Sequence, residues 1–270
     1  MSSKIKILWY FIRLIIDRRN LILEMVRREI SVQYVGSWLG FVWTFINPAV
    51  MILIFWFVFG FGLKTQPMND VPFVVWLTAG MAIWFCFSEI WSGSTLMVTN
   101  NAHLIKKVVF PSSIFPVVKI LSSLVSHAVF LVLLILLIVL HDMPVTVYFF
   151  QAVYYFFAMS VLVLGLGWLT SALNVFLRDT GQVVQLLLQI GFWSTPIFWD
   201  IQIMPENVQR ILKLNPVFYI VQGYRDSFIY SVPFWQDWQW ALYYWLAAAG
   251  IFIVGALVFR RLKPHFADVI

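Results

Sequence analysis

Long apolar stretches alternate with short polar ones along the whole chain. No Asp, Glu, Lys or Arg occurs in residues 30–63, 71–88, 90–105, 120–141, 143–177, 180–199 or 238–259. A helix that crosses a membrane needs roughly 20 consecutive apolar residues. The pattern predicts six spans, near 38–63, 72–98, 114–140, 145–177, 182–199 and 238–259, the second holding one acid, Glu89. The run 143–177 raises the question of two spans. As one helix it reaches past ~50 Å, but each half is too short to cross once a turn is made. One long span entered through the aromatic run VYFFQAVYYFF is the better fit. Six spans also return both termini to the same side.

The polar intervals differ in character. Residues 1–36 are basic and amphipathic: Ile22, Met25, Val26 and Ile30 share one helical face, and Glu24, Arg27, Arg28 and Ser31 another. This predicts a helix lying in the membrane interface, with Trp9 and Tyr10 as earlier anchors and Gly36 ending it. Residues 64–71 and 141–144 are short loops; 200–237 is the long one. Within it Asn215 and Pro216 predict a helix start, a cap followed by a first-turn proline. The following VFYIVQGYRDSFIY reads as apolar on one side and too short to span, so it lies on the surface or dips into the membrane under cover of protein.

The interval NNAHLIKKVVFPSSIFP, residues 100–116, is more than a turn needs. Asn100 or Asn101 can cap a short helix that Pro111 ends; Ser113 can cap the next, with Pro116 in its first turn. A rigid helix between two spans presents Leu104, Val108 and Val109 with two lysines. It suits a surface pushed by another protein, or a basic helix resting on lipid.

Composition agrees with the pattern. The chain is 62% apolar and 11% charged, against about 45–50% and about 25% in soluble domains; its mean hydropathy is +0.88. The predicted class is all-α integral membrane, one transmembrane domain over 1–270, divided into an interface region 1–36, six spans within 38–259 and a tail 260–270. Of 18 basic residues, fourteen fall on the side of the N-terminus, the 100–119 interval, Arg178 and the C-terminus, and four (Lys64, Arg210, Lys213, Arg225) on the other. The positive-inside rule makes the fourteen-residue side cytoplasmic. The net charge of +6 thus reports topology and anionic headgroups, and no nucleic-acid partner is needed. No cleavable signal peptide is predicted, and the single Cys86 lies inside a span as a small apolar filler.

Candidate chemistry is sparse. There is no Gly-Lys pair, hence no G-x-x-x-x-G-K-[ST] phosphate loop, and no H-E-x-x-H or G-x-S-x-G. His103, His127, His141 and His265 are scattered, so neither a metal site nor a catalytic residue is predicted. Glu89 is the exception, since an intramembrane carboxylate is functional or paired. Lys119 enters the third span at similar depth, and a structural Glu89–Lys119 pair is favoured over a proton relay. Trp38, Phe41, Phe45, Trp56 and Phe59 follow a three/four spacing along the first span, with Pro48 a point of kinking. Aromatic faces stack on the apolar faces of sugar rings and tolerate sliding; they equally pack against lipid or other helices.

The chain resembles the membrane subunit of ABC exporters of the polysaccharide class, the permeases for O-antigen, teichoic acid or capsular chains. VQYVGSWLGFVWTFINP resembles the family's entry to the first span, and NNAHLIKKVVFPSSIFP its coupling-helix region. NVFLRDTGQVVQLLLQIGFWSTPIFW matches an Arg-Asp pair followed by a span ending in Ser/Thr-Pro-Ile, and LNPVFYIVQGYRDSFI the segment before the last span. Each motif alone is modest; the four stand in the same order and spacing over nearly the whole length.

The resemblance implies a homodimer of six-span subunits in the bacterial cytoplasmic (inner) membrane, both termini cytoplasmic, above two copies of a separate ATP-binding subunit. ATP and Mg would bind that partner, with no cofactor in this chain, and the cargo would be a lipid-linked polysaccharide, O-antigen first. It implies docking on the ATPase by residues 100–111, including Asn101, His103, Leu104, Ile105, Lys106, Lys107 and Val108, framed by the N-terminal helix. Arg178 and Asp179 make a further ATPase contact or a local ion pair. Residues 200–230 become re-entrant gate helices before the last span, with Pro196, Asn215, Pro216, Tyr224 and Arg225 in the gate region. The first and fifth spans, the latter with Phe192 and Trp193, become the channel wall. Rival readings are a teichoic-acid or capsule exporter, a small hydrophobic drug exporter, an enzyme acting on lipid-linked sugars, and a proton-coupled transporter.

Overall fold

The computed structural model describes residues 13–65, 71–107 and 110–269; they are helices and connecting loops, with no strand among them. The anchors Trp9 and Tyr10, the basic Lys4 and Lys6, and Val108 and Val109 lie outside the described residues. Five helical stretches are long and apolar enough to cross a membrane: Gly40–Gly62, Phe73–Asn100, Ser112–Leu140, Val147–Phe176 and Trp238–Val269. This is a multi-pass membrane protein.

In chain order, α1 is Arg19–Tyr34 and α2 is Trp43–Phe55, running on as a π-helix over Trp56–Gly62. The central helix α3 is Phe73–Asn100, and the six-residue α4, Ala102–Lys107, follows it. Then come α5 (Phe115–Leu140), α6 (Gln151–Phe176) and α7 (Thr180–Ser194). The long loop holds α8 (Glu206–Lys213) and α9 (Pro216–Arg225); α10 (Trp238–Leu262) and the short α11 (Phe266–Val269) close the chain. Alternation of direction puts α1, α4, the α6–α7 turn and α11 at one end, the basic end, and the α8–α9 loop at the far end.

Two expectations about length are resolved by the backbone. Residues 147–176 form one uninterrupted helical rod, so the 145–177 run is a single span. The 182–199 segment differs: its helix stops at Ser194, and Thr195 is extended ahead of Pro196. The residue before a proline is pushed out of the α region by the ring, and Thr195 takes φ −87°, ψ 130°. At ~1.5 Å per residue a helix of 15 residues covers about 22 Å, short of a roughly 30 Å hydrocarbon layer. The remaining depth is made by irregular backbone, Thr195, Ile197 and Phe198 all being buried.

Irregular backbone at such depth survives only where protein satisfies it. Here Arg225 Nη2 donates to Ile197 O at 2.9 Å, and Asn215 Nδ2 to Thr195 Oγ1 at 3.0 Å. Asn215 also caps α9, its side chain accepting from Val217 N at 3.0 Å, with Pro216 in the first turn. The sequence reading of α9 as apolar on one side needs correction. Val217, Phe218, Ile220, Val221, Gly223 and Tyr224 are buried on several faces, because α9 is wedged between α3, α6 and α10. Its Tyr224 hydroxyl meets His127 Nε2 at 2.9 Å, halfway along α5. The segment dips among the long helices; it does not lie on a surface.

Packing follows small residues and one apolar stripe. α6 and α10 touch along much of their length, and Gly165 and Gly255 face each other there. A Cβ on either would strike the other helix's backbone, the close approach small residues permit between apolar helices. Ile22 and Met25 of α1 are buried against a cluster that includes Met97, Val118, Trp168 and Phe259, while Arg27 and Arg28 stay exposed. After α1, Val35 is extended and Gly36 takes φ +77°. Cys86 is buried in α3.

Two predicted caps are not used. Asn101 turns back so that Nδ2 donates to Met97 O at 2.9 Å, closing α3 instead of opening α4. Ser113 is taken into a 3-10 turn, and its carbonyl accepts from Trp168 Nε1 at 3.0 Å; α5 begins without a side-chain cap.

Candidate functional site

Between α2, α3, α5 and α7 lies a groove of about 870 Å³, open on one side. Its wall is graded along the molecule. Toward the basic end α7 presents Gln182, Gln185 and Gln189, which are three and four apart and share a helix face. Glu89, Ser88 and Ser92 of α3 and Asn47 of α2 join them. Toward the far end the wall turns aromatic, with Phe55, Trp84, Phe85 and Phe192. Ser88 Oγ is buried and has no hydrogen-bond partner among the described residues.

Beside the polar half sits an ion cluster. Lys119 Nζ donates to Glu89 Oε1 at 3.2 Å and to Glu29 Oε1 at 3.3 Å. Ser123 Oγ donates to the same Glu89 oxygen at 2.9 Å. Lys119 is 5% exposed, and its stem crosses α3 over Gly93, where a Cβ would collide with it. One ammonium thus joins α1, α3 and α5. Glu29 was not singled out by sequence reasoning, because no periodicity in one helix reports its rotation against another.

The aromatic residues named from the sequence divide into two groups. Phe59, Phe192 and Trp193 gather around Phe198, with centroids at 4.6, 5.5 and 4.9 Å. Phe55 joins this nest, 5.7 Å from Phe192. Trp38, Phe41, Phe45 and Trp56 instead point outward from the α2 strip, Trp38 being 96% exposed. The glutamine ladder was missed, although its signal is legible as Q-x-x-Q-x-x-x-Q inside the fifth apolar run. Outward-facing Val183, Leu187 and Ile190 of α7, with Leu53 and Ile54 of α2 and Phe57 of its π-helical extension, leave a broad apolar face uncovered.

At the basic end α4 packs Leu104 and Ile105 against the α1 cluster and exposes His103 and Lys106. It touches α11. The side chain of Lys107 and residue Val108 lie outside what the structure describes. Arg178 and Asp179 are both exposed on the α6–α7 turn and form no ion pair among the described residues. That turn is held by Asn174, whose Oδ1 accepts from Gly181 N at 3.2 Å. At the far end Asn215 and Arg225 reach the broken end of α7 on either side of Pro196, Pro216 opens α9 beside them, and Tyr224 turns away to His127 of α5. Arg225 is 1% exposed and lies 3.4 Å from the centroid of the Trp76 ring. Among the described residues no cluster of His, Cys, Asp or Glu could hold a metal ion.

Comparison with known proteins places this architecture. An O-antigen export system permease protein, RfbA, of Klebsiella pneumoniae is 24% identical over 252 residues, covering 93% of this chain and 95% of its own. RfbA of Myxococcus xanthus is 26% identical, covering 80% of this chain and 83% of its own. The polysialic acid transport protein KpsM of Escherichia coli is 23% identical, covering 74% and 78%. The family profile described as ABC-2 type transporter matches residues 20–229, from α1 through α9. With most of its length under that match, the chain belongs to the ABC-2 type transporter family.

Proposed function

We propose that this chain is the membrane subunit of an ATP-driven polysaccharide exporter, a lipid-linked O-antigen being the cargo. The observation that carries the reading is the graded groove between α2 and α7. A polar floor of glutamines, serines and one carboxylate suits sugar hydroxyls, and an aromatic exit suits the apolar faces of sugar rings. A small hydrophobic drug would leave the polar half unpaired, at a cost. The RfbA relatives match over more of the chain than KpsM does, which favours O-antigen and keeps capsular polysaccharide as the second reading.

On this reading the basic end faces the cytoplasm of a bacterial inner membrane. Two copies meet through the uncovered α2 and α7 faces and close their grooves into one conduit. ATP and Mg bind a separate subunit beneath; this chain supplies no catalytic residue. Asn101, His103, Leu104, Ile105, Lys106, Lys107 and Val108 dock on that subunit, with Arg178 and Asp179 on the neighbouring turn. α4 is a short lever fixed to α3 through Asn101 and resting on the α1 cluster. Movement of α4 therefore reaches α3, the groove and the Lys119 cluster together. A change in ligand affinity follows only if the two end states contact the cargo differently.

Co-purification with the ATP-binding subunit, followed by ATPase assays in nanodiscs, tests this. Lipid-linked glycan is expected to stimulate hydrolysis, and Lys106→Glu with Lys107→Glu to lower that stimulation while basal hydrolysis persists. Full stimulation by the doubly reversed variant contradicts docking through α4; no association with an ATPase contradicts the exporter reading itself.

A further inference from the structure

The far end holds a second cavity, of about 540 Å³, sharing no lining residue with the groove. It is roofed by the long 196–237 segment and walled by the starts of α3 and α10. Its chemistry differs from that of the groove. Phe234, Trp240 and Tyr243 present partly exposed rings, and four glutamines (202, 209, 222 and 236) supply amides.

The charges in the lining discriminate between ligand classes. Asp200, Asp226 and Asp237 share the lining with Arg225 and Lys213. Arg225 is committed: it donates to Ile197 O and Trp76 O and stacks on the Trp76 ring. Lys213 Nζ sits 5.8 Å from the centroid of Trp240. Asp200 accepts from Gln202 N, and Asp226 from Gln222 Nε2. The Asp237 carboxylate has no hydrogen bond or ion pair among the described residues and is exposed. Three carboxylates against two cations leave the lining one negative charge in excess, and the donors of Arg225 are already occupied, so the cavity is rich in acceptors and disfavours phosphate and uronate groups. It welcomes a ligand that donates several hydroxyls and offers an apolar face to an aromatic ring.

We propose that this cavity is a saccharide-binding site for neutral sugars, separate from the conduit. The lining itself argues for the sugar; only the identification of that sugar with the exported chain rests on the export reading above. Pro196 to Ile201 follow directly from α7, so a chain leaving the groove's aromatic exit meets the cavity next. The same chemistry would also take a neutral glycan already in the cell envelope.

Equilibrium dialysis of the full-length protein in nanodiscs tests the site without the ATPase. The probes are mannotetraose and the β-1,4-linked N-acetylglucosamine tetramer, with tetragalacturonate and inorganic phosphate as anionic counterparts. The expected result is saturable binding of at least one neutral probe and none of the anions. Trp240→Ala and Asp237→Asn, made separately, should each weaken it about tenfold or more at unchanged melting temperature, while Leu246→Ala on the exposed face of α10, outside both cavities, leaves it intact. Asp237 is an exposed loop residue, so its variant remains informative if Trp240→Ala fails to fold. Absence of neutral-sugar binding, equal binding of tetragalacturonate, or indifference to both substitutions overturns the assignment. Glycan flux by Trp240→Ala in proteoliposomes with the ATPase then separates the sources: reduced flux identifies the exported chain, unchanged flux an envelope glycan. If the wild type shows no flux, the export reading fails and the dialysis result still stands.

Discussion

Lys119 holds two carboxylates from different helices at 3.2 and 3.3 Å while itself 5% exposed. Removing one member of a buried pair leaves the other charge uncompensated. Lys119→Met strands Glu89 and Glu29 together and is expected to destabilise the protein by about 3 kcal/mol, at the lower end for a buried pair because both acids keep some solvent. Adding Glu89→Gln should restore part of that loss, a non-additivity expected of contacting residues and measured as a thermal-unfolding shift in detergent. The Glu89–Lys119 half of the cluster was legible because two charges in otherwise uncharged runs reach the same depth from opposite ends of their helices. Glu29 was not, since α1 reads as a helix lying in the membrane interface, where a carboxylate needs no partner. At the far end, Asn215→Ala removes both the α9 cap and the bond to Thr195. We expect a loss of about 1–2 kcal/mol, visible in the same unfolding assay.

Helix positions were mostly readable from charge gaps, and the exceptions have backbone causes. The fifth apolar run counts enough residues to span, but Thr195 before Pro196 cannot continue the helix, so hydropathy overstates its length. α9 reads as one-sided because a charged residue in a pattern normally marks a solvent face, whereas Arg225 points inward to cover the carbonyl that the break exposes. Arg225→Met is therefore expected to loosen the 196–200 segment specifically, raising amide hydrogen exchange there while leaving α10 protected. Equal exchange in variant and wild type would remove Arg225 from that role. Where α6 crosses α10, Gly255→Val drives a side chain into Gly165 and should cost about 1–3 kcal/mol. The spacing of glycines gave no hint of which helices they join, because crossing partners are set by the assembled bundle.

At the scale of the whole molecule, the uncovered apolar strips of α2 and α7 flank the open side of the groove. A two-fold dimer apposes the same patch on both copies. In a Cys86→Ala background, single cysteines along those strips, such as Leu187→Cys, are expected to crosslink into dimers on mild oxidation. Leu246→Cys on the exposed face of α10 should stay monomeric; the reverse pattern would move the interface. The aromatic stripe was legible as a pattern, yet of its five members only Phe59 turns inward, packing on Phe198 behind the groove's Phe55 and Phe192, since pitch alone does not say which way a stripe faces.

A conduit driven by a motor on another polypeptide, as we propose for this chain, is read out by glycan flux. Purified protein in proteoliposomes, with labelled lipid-linked glycan on one leaflet, is followed with and without the ATP-binding subunit and ATP. Glycan is expected to cross only when both the subunit and ATP are present. Crossing by this protein alone, at a rate that neither the subunit nor ATP changes, would contradict the proposal.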